Sequence, residues 1–147
     1  MELTLAQVRE AVDLDLGVTD WFTVEQSLIT KFSEITTDDQ WIHVDEERAA
    51  KGPFGTTIAH GYLISALIAQ FMEELLVITD RELTVNYGID ALRFTGPVPT
   101  GSRIRCRMRI ADSKMKNDAI VCALDVRIER EGVEKPVLVG KVLFRFS

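Results

Sequence analysis

The sequence predicts an α+β protein in which an antiparallel β-sheet wraps a long apolar helix. Three observations carry that expectation. Between Gly61 and Met72 no residue is charged, and Tyr62, Leu63, Ile64, Ala66, Leu67, Ile68, Ala69 and Phe71 cover every side of a helical wheel. Four extended segments follow, 83–94, 103–110, 119–130 and 137–146, separated by Gly96-Pro97, by Lys114 to Asp118, and by Gly132 with Pro136. These segments run on without helical patterns between them, which fits a meandering sheet better than an alternating β/α one.

The elements can be taken in chain order. Thr4 and Gln7 form a capping-box pattern ahead of Leu5, Val8 and Val12, predicting a short amphipathic helix in a segment that Gly17 closes. An extended stretch from Val18 to Phe22 follows. Thr23 with Gln26 repeats the capping pattern, and Leu28, Ile29, Phe32 and Ile35 recur at helical spacing, so a second helix delivers the chain to Asp38. Residues five apart on a regular helix point about 140° away from each other, so Asp38 and His43 converge only if the helix breaks between them. The polar stretch Thr36 to Gln40 permits that break. Asp45 is placed to cap a short helix through Glu46, Glu47 and Arg48, which Gly52 and Pro53 stop.

The apolar run that follows is too short to span a membrane, contains Ser65 and Gln70, and ends at Glu73-Glu74, so it reads as a helix surrounded on nearly all sides. In the segment from Arg103, the residues Ile104, Cys106, Met108 and Ile110 share one face and Arg103, Arg105, Arg107 and Arg109 the other. Guanidinium groups match phosphate oxygens, but Asp125 and Glu129 on the next strand offer these arginines cross-strand partners, which is the simpler use. A curved sheet rolled around an apolar helix is the hot-dog architecture. With no internal repeat and no linker, residues 1–147 are expected to form a single domain of that kind.

Composition narrows the function. The 147 residues are 46% hydrophobic and 27% charged with a formal charge of −6, ordinary for a globular protein and unfavourable for nucleic acid. The first residues lack a basic segment followed by an apolar stretch, which leaves the cytoplasm as the default location. Cys106 and Cys122 lie in apolar-alternating segments and read as packed, reduced thiols.

His43 and His60 are the only histidines. Imidazole is the side chain that exchanges protons near neutrality, and each here sits in a compact polar run, which points to acid/base chemistry. Asp38 taken alone also reads as a capping carboxylate, His60 as a loop-fixing residue beside a helix start, and Trp41 as a core or interface anchor.

The run Thr37-Asp38-Asp39-Gln40-Trp41-Ile42-His43 resembles the Gly-Asp-x-Asn-Pro-(aliphatic)-His signature of MaoC-like hydratases. Phe54-Gly55-Thr56-Thr57-Ile58-Ala59-His60-Gly61 and Arg93-Phe94-Thr95-Gly96-Pro97-Val98-Pro99 extend the similarity, which covers the chain from about Thr23 onward. Two positions depart from the pattern: Thr37 stands where the family has Gly, and Gln40-Trp41 replaces Asn-Pro, as in its nodulation-protein-N-like branch.

The resemblance implies reversible addition of water to a trans-2-enoyl-coenzyme A, giving an (R)-3-hydroxyacyl product, with coenzyme A present only as part of the substrate and no metal or other cofactor. It assigns Asp38 and His43 to the acid/base pair and the Gly61 N–H to binding the thioester oxygen. Gln40, His60, Tyr62 and Phe94 fall to substrate binding, and the protein is expected to be a homodimer with no nucleic-acid or membrane partner. The competing readings are a hot-dog thioesterase, a silent acyl-thioester binding module, and a dehydratase subunit whose partner supplies the chemistry.

Overall fold

The computed structural model describes all 147 residues. A two-residue strand, β1 (Glu2–Leu3), leads into helix α1 (Leu5–Glu10), where Thr4 and Gln7 form the expected capping box. The chain then turns into β2 (Leu14–Val18) and β3 (Phe22–Thr23). Gly17 closes no helix; it lies within β2 at φ +92, beside a register shift against the neighbouring strand. The second capping box is also absent. Thr23 belongs to β3, and helix α2 (Gln26–Thr36) starts after Glu25 with no side-chain cap. Pairing of Phe22 and Thr23 with Ile104 and Arg103 draws Thr23 into the sheet, so tertiary contacts override the local pattern.

α2 ends where the sequence permits a break. Thr37 follows it with φ 58 and ψ 23, in the left-handed region. That residue reverses the chain into a one-turn helix, α3 (Trp41–Val44), and then α4 (Glu46–Ala50), whose Arg48 N–H donates to the Asp45 carboxylate. The apolar run forms α5 (Gly61–Ala66) and α6 (Ile68–Leu75), which meet at Leu67. A two-residue strand, β4 (Val77–Ile78), pairs in parallel with β1.

The main sheet is completed by β5 (Thr84–Phe94), β6 (Arg103–Lys116), β7 (Ala119–Arg130) and β8 (Leu138–Phe146). Its order is β2-β6-β7-β8-β5, with β3 also on β6, and every pairing is antiparallel. β6 runs six residues past the expected Ile110, through a register shift near Ala111, to a two-residue turn in which Asn117 and Asp118 both have positive φ. Such turns match the twist of paired strands.

Ile104, Cys106, Met108 and Ile110 face Leu63, Ile64, Leu67, Ile68, Phe71 and Met72 within one apolar core, as the hot-dog expectation requires. Both thiols are free and buried, and loss of solvent raises Cys106 to about 12 and Cys122 to about 11.

The helix is not enclosed on every side. Tyr62 is 74% exposed, and Ala66 and Gln70 continue that stripe along the helix. β5 is likewise open: it pairs only with β8, and Ile89 is 62% exposed. On the outer face of the sheet, Arg105 pairs with Glu129 and Arg109 with Asp125 and Asp13, so the arginines are met by carboxylates. No helix is long and apolar enough to cross a membrane.

Candidate active site

The break at Thr37 brings together what the helical period would have separated. One donor atom from each of Asp38, His43 and His60 lies within 4.8 Å of the others. His43 sits on α3 and is buried, while Asp38 on the preceding loop is exposed.

Two backbone carbonyls fix the state of the imidazoles. His43 Nδ1 lies 2.7 Å from the Ile58 carbonyl, which only accepts, so Nδ1 carries the proton and Nε2 is a bare lone pair. Burial holds the His43 pKa below the usual 6.5, and the facing His60 ring adds to that shift. The Ile58 carbonyl and the Asp38 carboxylate pull less strongly the other way.

His60 is only 2% exposed. Its Nε2–H donates to the Asp38 carbonyl at 2.9 Å, its ring stacks on His43 at a centroid distance of 3.7 Å and 24°, and Phe32 closes another side. His60 thus lies against the His43 ring, and its Nδ1 is buried without a partner. Face-to-face rings direct their lone pairs into near-parallel planes, a poor disposition for sharing one metal ion.

Gly61 opens α5, and a Cβ there would come within 3.0 Å of the Phe94 ring. A cleft of about 160 Å³ runs along Ile58, Ala59, Gly61, Ile64, Phe94 and Val98. Tyr62 points outward, with its ring edge-on to Phe94 at 6.1 Å, and Gln40 is exposed just before α3. Trp41 packs beneath Gly52 and carries Arg48 over its ring, as an anchor does. Ser65 bonds locally to the Tyr62 carbonyl.

The sequence did not reveal three further polar side chains: Ser33, Gln26 and Thr57. Ser33 Oγ donates to the Asp38 carbonyl at 2.9 Å, and Gln26 joins the His43 carbonyl to the Thr57 hydroxyl. The available signal was Ser33, a polar residue four positions after Ile29 on the buried stripe of α2.

Residues 7–131 match the MaoC-like domain family. The chain is 37% identical over 144 residues to 3-hydroxyacyl-thioester dehydratase Z of Mycobacterium tuberculosis, covering 97% of this chain and 95% of that protein. It is 40% identical over 140 residues to nodulation protein N of Rhizobium leguminosarum bv. viciae, covering 93% and 87%. Among solved structures, the unliganded R-hydratase PhaJ1 from Pseudomonas aeruginosa superposes with a TM-score of 0.75 at 24% identity, over 91% of this chain and 80% of that one, a likeness of fold.

Proposed function

The chain belongs to the MaoC-like domain family, and we propose that it is a hydro-lyase adding water reversibly to a trans-2-enoyl-coenzyme A to give the (R)-3-hydroxyacyl thioester. The observation that carries this reading is the meeting of the Asp38 carboxylate with a His43 ring whose Nε2 is free to accept a proton. In the hydration direction His43 Nε2 takes a proton from water while the water oxygen bonds to C3. The Asp38 carboxylate holds the second water hydrogen and steadies the imidazolium. The proton gained by His43 passes to C2 on the same face, so one water is added and both groups return to their starting states.

Charge that develops on the thioester oxygen falls to the Gly61 N–H at the head of α5. Loss of such a donor in other enzymes costs about 3–4 kcal/mol of barrier. The cleft beside Gly61 suits the reacting end of an acyl group, and a second groove of about 220 Å³, lined by Ala66, Ala69, Ile89, Leu92, Val142 and Phe144, suits its tail. Phe94 lines the first cleft with Tyr62 edge-on to it, and Gln40 lies two residues after Asp38. No metal or redox partner enters this chemistry.

The protein is further proposed to act as a homodimer through β5, a reading supported by an open sheet edge with apolar side chains exposed along it. The deciding assay follows the conjugated double bond of a short trans-2-enoyl-coenzyme A together with free thiol. Loss of enoyl absorbance without thiol release is expected. Thiol release with the double bond intact would instead identify a thioesterase, and no turnover would identify a binding module or an incomplete enzyme.

A further inference from the structure

We propose that Gln26 and Thr57 are positioning residues for His43, tethering the one-turn helix that carries it to α2 and to the loop before α5. This rests on reading His43 as half of the acid/base pair. α3 has four residues, so its last carbonyls find no amide one turn further on. Gln26, the first residue of α2, supplies the missing donor: its Nε2 lies 2.8 Å from the His43 carbonyl. Because that carbonyl only accepts, the bond fixes the orientation of the amide and turns Oε1 toward Thr57. The Thr57 hydroxyl donates to Oε1 at 2.5 Å.

Thr57 is fully buried, and its own carbonyl accepts from the Thr100 N–H at 2.9 Å. The relay therefore ends on a segment anchored in the body of the protein. The His43 ring is held by the Ile58 carbonyl and by the stacked His60, and the backbone of its helix by the Ile58 N–H on the Ile42 carbonyl and by Gln26 on the His43 carbonyl. With these in place the bare Nε2 has a single direction. Without the Gln26 bond the C-terminal end of so short a helix loses the tether nearest the His43 Cα, and small displacements of a reacting group cost on the order of a hundredfold in rate.

The test uses the full chain and trans-2-butenoyl-coenzyme A, comparing Gln26→Met, Thr57→Val, Thr57→Ser, the Gln26→Met/Thr57→Val double variant and His43→Gln. Gln26→Met and Thr57→Val are each expected to lower kcat by roughly ten- to a hundredfold, with KM held within about threefold. The double variant should be no worse than the weaker single one, because both break the same chain. Thr57→Ser, which keeps the hydroxyl, should bring kcat back to within about threefold of wild type. Wild-type kcat in Gln26→Met, losses that multiply in the double variant, or a fall in melting temperature with unchanged kcat would each overturn the relay. A His43→Gln variant that turns over normally would overturn the acid/base reading, whereas an inactive His43→Gln beside an unaffected Gln26→Met would remove the relay alone.

Discussion

The sheet and the segment from α2 to α5 treat polar groups in opposite ways. From β6 to β8 the inner face is apolar and the charges stand outside, many of them paired with an opposite charge that solvent also reaches. Between α2 and α5 polar groups are taken inside: Ser33, His43, Thr57 and His60 are four of the five buried polar residues, the fifth being Thr19. A buried polar group must keep its partner, so each allows one arrangement where an exposed ion pair tolerates many. The sheet supplies bulk stability, and the helical segment fixes where His43 stands relative to Asp38.

Substitutions can break or sharpen that contrast. The largest effect belongs to Asp38→Asn and His43→Gln: turnover of an enoyl thioester should drop at least about a hundredfold while circular dichroism stays unchanged. A normal rate in either variant would remove that residue from the chemistry.

In the sheet, sensitivity is steric. A Cβ at Gly140 would lie 2.2 Å from the Ala91 carbonyl, so Gly140→Ala should cost about 3 kcal/mol in urea unfolding. Arg105→Ala, on the outer face, should cost no more than about 1 kcal/mol even with its contact to Trp21, and less in high salt. An effect several times larger, or one indifferent to salt, would break the comparison.

The smallest effect is one of pH. His43 has a folded pKa below its ordinary 6.5, so between those values the unfolded chain binds more protons. Its contribution to stability is complete above about pH 6.5 and is lost as the pH falls through the folded value. Urea midpoints of wild type and His43→Gln should therefore converge on acidification; parallel profiles would contradict the burial argument.

The same contrast explains what could be read in the sequence. The β7 bounds, Ala119–Arg130, coincide with the reading because strict alternation states its own register. The capping pattern at Thr4 held and the identical one at Thr23 did not, since β6 claims Thr23 and the Thr57 hydroxyl claims the amide of Gln26. The apolar run from Gly61 announced a core helix, but composition alone could not show that Tyr62 and Ala66 would face outward.

That Asp38 and His43 would come together was legible because a short spacing and a permitted break sufficed to join them. Gln26, Ser33 and Thr57 were not, because each acts through a partner set by the fold, such as the 31-residue separation between Gln26 and Thr57.

Thr37 has a consequence for anyone seeking a more heat-tolerant version of this protein. A β-branched residue at φ 58 costs about 1–2 kcal/mol that glycine would not. Glycine there is the obvious repair, and it is the residue that the family signature carries immediately before the aspartate. At this peptide bond, toughness is open to gain by a single exchange.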